Sequence, residues 1–487
     1  MSIFSYPFFA LWAVCAVLYY TIAGNHQWLL LLGMSLVFYG YSVMRVPVIL
    51  ILVSTVTYLG AVWITYARKN KKASEKTIKR CRRGITALCV AALLAGPVTG
   101  WFVLLGNSYF ILKAISYLMD TDRDETVCEK NYFFYLLYLI YLPTILQGPF
   151  NRFARFRESL REKKAFQYEQ FMHGLQRFIW GAFKKLVLAA RLEQIASYVS
   201  GSFADQSGIS ILTGIMAYSL WFYTDFSSYM DMMLGMSGTF GIGLPENFRQ
   251  PYFSKTTAEF WRRWHITLGG VFKDYLMMPF IQSGYGRRLR KYFKGYGKEA
   301  GRVAPLLAGT FLVWLTTALW HGCSVRYLVW GMYYCGIISS SLVLEGTYGR
   351  IKKRLRITGT SVVYSGFCMV RTWCVLFVAN MILQAEDFGE FLVMVRQLIG
   401  RSFFVGGRVS LSALGWIRQD GVVLAAGLLM VLFVSVMEEK NVKVLEVIDR
   451  QRLPVRWSVY YILLFSVLLF GIYGSGYDAG QFLYMQF

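Results

Sequence analysis

Leu244 to Phe280 reads LPENFRQPYFSKTTAEFWRRWHITLGGVFKDYLMMPF, and its setting decides how the chain is read. It packs acids, arginines, tryptophans, three prolines and His265 into a chain that is 56% hydrophobic. A lipid-facing surface does not tolerate that mixture, since each charge in hydrocarbon costs roughly 2.5–3.5 kcal/mol on insertion scales. The stretch therefore belongs at a membrane boundary or around a cavity walled by protein. A second histidine, His321, closes the next apolar run, TFLVWLTTALWHG. The two histidines read as a reactive centre, and the rest of the chain as its housing.

That housing is a membrane protein by composition. Of 487 residues only 16% are charged, 17% are aromatic, and the mean hydropathy is +0.43. Several apolar runs reach about 20 residues, enough to cross a hydrocarbon core of roughly 30 Å. Backbone groups in lipid must be satisfied within their own segment, so these runs are expected as helices. No period-2 alternation suggests an outer-membrane barrel. The first run, about Phe4 to Ile22, follows no basic leader and precedes no small-residue cleavage site, so it reads as a retained helix.

The net charge of +24 does not point to nucleic acid, because the cations gather in short loops between apolar runs. ARKNKKASEKTIKRCRRG carries nine basic residues against Glu75 alone; NRFARFRESLREKK, SGYGRRLRKYFKGYGKEAGR and RIKKRLR repeat the pattern. Anionic headgroups, and an acidic soluble protein, are the partners such charge suits. Eight scattered cysteines without a C-x-x-C pair argue against zinc or a disulfide framework.

Counting runs gives about eleven to twelve crossings with re-entrant or interfacial pieces, both termini outside and every strongly basic loop on the inner face. The expected fold is an all-α polytopic helix bundle forming a single membrane domain over 1–487. Its catalytic core would span about 86–345, with N-terminal helices in 1–85 and C-terminal helices in 346–487. GNSYFILKAISYLMDTDRDET is too short and polar for an ordinary span, and Tyr132 to Gly148 reads as a returning helix. About sixteen apolar residues, roughly 24 Å of helix, separate His321 from the inner end of its run, so it should lie toward the outer side but within the membrane. Asp225 and Asp231 lie on different faces of one run, and Lys184 and Lys185 sit deep in another. They either pair internally, snorkel, or line a pathway, and the last option keeps a transporter or channel open as an alternative.

The central stretch followed by ALWHG resembles the signature of the membrane-bound O-acyltransferase (MBOAT) family, in its bacterial AlgI/DltB branch. LLGNSYFILKAISYLMD, YLPTILQGPFNRFARF, GAFKKLVLA, FYTDFSSYMDMMLG and the closing QFLYMQF resemble the same branch. Two departures stand at Asn107-Ser108 and Ile382-Leu383-Gln384. The resemblance implies an MBOAT fold with funnels from both faces, in the cytoplasmic membrane of a bacterium. It implies transfer of an acyl group from a cytoplasmic thioester, acetyl-CoA or an acyl-carrier protein, to a hydroxyl of an extracellular polysaccharide. An extracytoplasmic esterase-like partner would complete the transfer in the acetyl case. PENF and QFLYMQF lean toward acetylation of an alginate-like polymer, whereas GPFNRFARF leans toward D-alanylation of teichoic acid. His321 matches the family's essential histidine and His265 its second position.

Chemistry points the same way. A hydroxyl attacking a thioester needs a base, and histidine titrates close to physiological pH; His321 takes that role, with His265 orienting the donor or assisting proton transfer. No G-x-S-x-G elbow is present, so direct transfer is expected, with no bound cofactor and no metal. Around the histidines, Trp261, Trp264 and Trp320 are candidates for cavity walls. Arg262, Arg263, Lys273 and Asp274 are candidates for holding the donor's phosphates or for an internal ion-pair network. Asn247, beside Pro245, is a candidate turn and substrate-binding residue. His26 and His173 read as ordinary polar side chains.

Overall fold

The computed structural model describes residues 2–42, 48–99, 106–322, 324–357, 361–473 and 482. The expected break at Met44-Arg45-Val46-Pro47, Cys323 and most of the closing QFLYMQF lie outside the described residues. The described chain is all α-helical, without a β-strand. It forms two compact units: residues 1–182, 228–246 and 473–486, and residues 183–227 and 247–472.

The first unit holds α1 (Tyr6–Thr21), α2 (Gln27–Ser42), α3 (Val48–Lys69), α4 (Glu75–Thr99), α5 (Asn107–Arg123), α6 (Tyr132–Ile140) and nearly all of α7 (Tyr168–Phe183). The segment expected to be re-entrant is α5, and Phe110, Ile111, Ala114, Tyr117 and Leu118 along it are fully buried. Its acidic end meets the basic loop, with Asp122 bonded to Arg68 at 2.9 Å and to Arg82. The expected helix from Tyr132 to Gly148 instead stops at Ile140, and one further turn spans Leu142–Ile145. Pro143 has no N–H to give Leu139 O. Buried Lys113 donates there instead, to Tyr138 O (3.1 Å), Leu139 O (3.4 Å) and Thr144 Oγ1 (2.5 Å), capping the broken end.

Close backbone packing joins α7 to the C-terminal end of α9 (Gly208–Thr239). A Cβ at Gly174 would fall 2.7 Å from Gly235 O, a contact that only glycine permits. Beside it Arg177 binds Asp231 at 2.9 Å and Glu246 at 2.7 Å.

The second unit holds α8 (Ala190–Ser200), the first part of α9, the short helices α10 (Thr257–Arg263) and α11 (Ile266–Phe272), then α12 (Gly284–Lys294) and α13 (Lys298–His321). It continues through α14 (Val325–Val343), α15 (Glu345–Arg354), α16 (Val362–Gln384), α17 (Phe388–Ile399), α18 (Arg418–Glu439) and α19 (Leu453–Phe470). Helix α13 starts seven residues before the apolar run and carries Pro305 inside it. At 24 residues it is about 36 Å long. Gly331 lets α14 lie against α13, since a Cβ there would meet Ala318 Cβ at 2.8 Å.

Among the described residues, five helices, Ile49–Lys69 of α3 together with α13, α16, α18 and α19, are long and apolar enough to cross a membrane, and a sixth span arises if α14 and α15, bent by 59°, count as one. On α18 and α19 Leu429, Phe433, Ile462 and Leu469 are more than 60% exposed. Surfaces that apolar suit hydrocarbon rather than water. The protein is a multi-pass membrane protein; among its other apolar runs, the one from Ile209 to Met236 lies within the 32-residue α9, whereas α1 and α2 have 16 residues each and α6 has nine.

Among the described residues, π-helical turns interrupt the second unit at Lys184–Ala189 and Lys273–Met277. The first buries two consecutive lysines against α9: Lys185 pairs with Asp225 at 2.6 Å, and Lys184 Nζ donates to Ser227 Oγ at 2.7 Å. Both lysines are thus internal rather than snorkelling, and Asp225 and Asp231 each hold an ion pair.

Candidate active site

The central stretch folds back on itself inside the second unit. Phe248 and Trp264 form an antiparallel bridge, with Arg249 N–H donating to Arg263 O and Ile266 N–H to Asn247 O, both at 3.0 Å. Thr256 opens α10, its hydroxyl accepting from Glu259 N–H at 3.1 Å while the Glu259 carboxylate accepts from Lys255 N–H. Helix α10 ends at Arg263, and His265 takes left-handed backbone angles, φ 47° and ψ 49°, before α11 begins. A non-glycine residue holds that conformation only where its surroundings enforce it. Here the bridge on one side and a bed of rings on the other do so. Trp264, only 1% exposed, stacks on Phe222 and Phe260, with centroids 5.1 and 5.4 Å away, and meets Phe248 edge-on at 4.9 Å.

The side chain of His265 is buried and oriented. Its Nδ1 lies 3.2 Å from Asn247 Oδ1, an oxygen that also accepts from Thr267 N–H (3.0 Å) and Thr267 Oγ1 (2.9 Å). A backbone N–H must face the amide oxygen rather than its NH2, so the carboxamide orientation is settled. It follows that Nδ1 of His265 carries the proton, and Nε2 of the neutral ring carries the lone pair. The edge of Phe226 packs on this ring at 4.9 Å. His265 lies outside the candidate membrane-crossing helices. Burial, and after it the nearby His321 ring, push its imidazole down to about 3.

His321 is the last residue of α13, where the negative end of the helix dipole stabilises positive charge developing on the ring. The chain leaves it through Gly322 at φ 144°, and a Cβ there would sit 3.1 Å from the Tyr327 ring. Tyr327 stacks on the imidazole at 5.8 Å and Trp330 meets it edge-on at 5.3 Å. Trp320 stands between the two histidines, 4.8 Å from His321 and 6.4 Å from His265. Behind Trp330, the rings of Trp261, Trp314 and Tyr334 complete an aromatic box with centroid separations of 5.0–5.8 Å. The fold therefore draws together His265, His321, Trp320, Trp261 and Asn247, residues up to 74 positions apart.

The charged candidates fall elsewhere. Arg263 binds Glu439 at 2.6 Å and Glu259 at 2.7 Å, the ion-pair alternative rather than a free phosphate ligand. These carboxylates, Glu439 foremost, hold its guanidinium above its usual range. Arg262 and Lys273 are exposed, and Asp274 is half-buried within the second π-turn. Trp264 is a wall of the fold behind the bridge. The rings Tyr327, Trp330 and Phe226 were not singled out by sequence reading, since one more aromatic in a chain with 17% of them gives no signal.

Residues 102–290 match the family model described as the membrane-bound O-acyltransferase family. A probable alginate O-acetylase of Pseudomonas syringae pv. tomato is 32% identical over 230 residues, covering 47% of this chain and 41% of the relative. Its counterpart in Pseudomonas fluorescens is 28% identical, covering 65% of this chain and 61% of its own length. A teichoic acid D-alanyltransferase of Bacillus subtilis is 29% identical over 48% of this chain and 58% of its own. The chain spans about half the length of the curated relatives it matches. The histidine stretch from Leu244 to Phe280 lies inside the matched region, so residues 102–290 are similar to the membrane-bound O-acyltransferase family, and the chain is similar to its alginate O-acetylases and teichoic acid D-alanyltransferases.

Proposed function

We propose that this protein is an O-acyltransferase of the bacterial plasma membrane that moves an acetyl group from a cytoplasmic thioester to a hydroxyl of a cell-surface or exported polysaccharide. The observation that carries this reading is the pairing of two buried imidazoles through the ring of Trp320. His321 accepts the proton of the attacking hydroxyl as its oxygen forms a bond to the thioester carbonyl carbon. The tetrahedral intermediate collapses with cleavage of the carbon–sulfur bond. The imidazolium returns its proton to the departing thiolate, so the products are an ester and a free thiol. The dipole of α13 favours the charge held meanwhile on His321. His265, its Nδ1 proton engaged by Asn247, keeps an Nε2 lone pair that can accept a hydrogen bond from the departing thiol and so assist proton transfer.

Acetyl transfer is favoured because several relatives of this chain are named as alginate O-acetylases. The second reading, D-alanyl transfer to teichoic acid, rests on the relatives bearing that name. Mass spectrometry of the surface polymer tests both. Cells carrying the protein should show acetyl esters that His321→Ala removes while the variant still accumulates in the membrane. Alanyl esters that depend on the protein select the second reading, and esters that persist in the variant defeat both.

A further inference from the structure

Away from the histidines, the second unit carries a surface that nothing above uses. Helix α12, GYGRRLRKYFK, has five basic residues and no acid. Arg287, Arg288, Arg290, Lys291 and Lys294 are all exposed, and Tyr285 and Tyr292, with Tyr296 just beyond the helix, are 65–73% exposed among them. Arg288 lies over the Tyr285 ring at 6.0 Å. Gly301 lets the helix lie directly on the first turn of α13, its ideal Cβ only 3.0 Å from Lys294 Cα and 3.1 Å from Arg290 O. Helix α15, EGTYGRIKKR, is exposed throughout and ends in Lys352, Lys353 and Arg354. It leaves the line of α14 at 59°, so it is set across the end of that helix rather than along it. Arg302 fastens the two pieces, bonding Glu299 at 2.9 Å and Glu345 at 3.5 Å. That arrangement engages the two acids nearest the surface and leaves the lysines and remaining arginines facing out.

We propose that α12, the start of α13 and α15 form a platform that binds the headgroups of anionic lipids. The chemistry fits phosphate-bearing lipid for three reasons. The cations sit at the first turn of a helix long and apolar enough to cross the membrane, where headgroups lie. Exposed tyrosines interleave with them, and tyrosine settles at headgroup depth with its ring toward the acyl chains. Both helices are short, basic and set at an end of a hairpin, the form of an interfacial helix. The guanidinium and ammonium groups bind lipid phosphate, and the rings fix the depth at which they do so.

The test uses the full-length protein in neutral detergent, titrated with phosphatidylglycerol or phosphatidylcholine and examined by native mass spectrometry for retained lipid. Arg287→Gln/Arg288→Gln/Arg290→Gln/Lys291→Gln should lower phosphatidylglycerol retention at least about tenfold and leave phosphatidylcholine unchanged. Tyr285→Ser/Tyr292→Ser/Tyr296→Ser, which keeps every cation, should lower it as well. As a charge-matched control, Lys71→Gln/Lys72→Gln/Lys76→Gln/Lys79→Gln should retain more than half. Monodispersity and an unchanged melting midpoint establish that each variant is folded. Unchanged phosphatidylglycerol retention in the four-glutamine variant overturns the proposal. So does equal loss in the control, or retained lipid accompanied by lost binding of a purified acidic acyl-carrier protein.

Discussion

His265 and Asn247 act as one unit, and this is the finest feature of the site. The Asn247 oxygen holds the Nδ1 proton of the ring while Thr267 fixes the oxygen. Asn247→Leu removes the acceptor, releases the tautomer and leaves the Thr267 N–H without its partner. Acyl transfer should fall by about 10²-fold or more, as when a catalytic imidazole loses the group that sets its tautomer. Asn247→Asp keeps an acceptor at the same place and should retain a larger share of the rate, measured with the purified protein and a soluble hydroxyl acceptor. A second outcome concerns Gly322. Gly322→Ala brings a Cβ to 3.1 Å from the Tyr327 ring at a φ that L-residues rarely adopt. It should shift His321 off Tyr327 and reduce the rate constant for transfer more than it weakens donor binding, a split read from kcat against KM. His265 stands out in the sequence because it lies beside Arg262 and Arg263 in an apolar chain, and His321 because it closes an apolar run. Asn247 reads in the sequence as a turn and substrate-binding candidate, not as the partner of His265. Its bond to His265 depends on a reversal closed by the Phe248–Trp264 bridge and on left-handed angles at a histidine, and neither leaves a compositional trace.

At the scale of elements, apolar runs of sufficient length marked α3, α13, α16, α18 and α19 correctly, because hydrocarbon thickness sets a minimum that composition displays. Breaks and π-turns were not legible in the same way. Gln147-Gly148-Pro149 closes an apolar run and suggests a stop near Gly148. The helix ends at Ile140 because Lys113, from another helix, can satisfy the carbonyls released there. The π-turn at Lys184–Ala189 similarly makes sense only with Asp225 and Ser227 opposite it. That pair yields a prediction. Asp225→Asn leaves Lys185 buried without its countercharge and should destabilise the protein by about 3–5 kcal/mol. Replacing both, Lys185→Met with Asp225→Leu, should recover most of that loss in a thermal melt of the purified protein. If the pair serves as a transport path, the double variant should remain stable yet abolish a measurable ion flux. If it serves to hold the part of α9 that carries Phe226 against Trp264, stability and acyl transfer should return together.

For the whole molecule, the decisive quantity is the side of the membrane on which each loop lies, since the proposed thioester donor and surface polymer would approach from opposite faces. Cations near span ends are retained on the cytoplasmic side. The loop around Lys71, the turn after α12 at Tyr296 and the end of α15 at Arg354 should therefore all face the cytoplasm. The ion pairs of Asp122 with Arg68 and Arg82 extend the argument to an acidic residue, which composition alone would have assigned to neither face. Single cysteines at Asn70, Tyr296 and Arg356, introduced into a background without exposed native thiols, should react with a membrane-impermeant maleimide only after the inner membrane is opened. A cysteine at Ser324, three residues past His321, should react in intact spheroplasts if the end of α13 opens to the acceptor side. Labelling at Ser324 and at Tyr296 from the same face would leave α13 without the crossing its length allows, and a donor and acceptor meeting at His321 would then have to enter from one side.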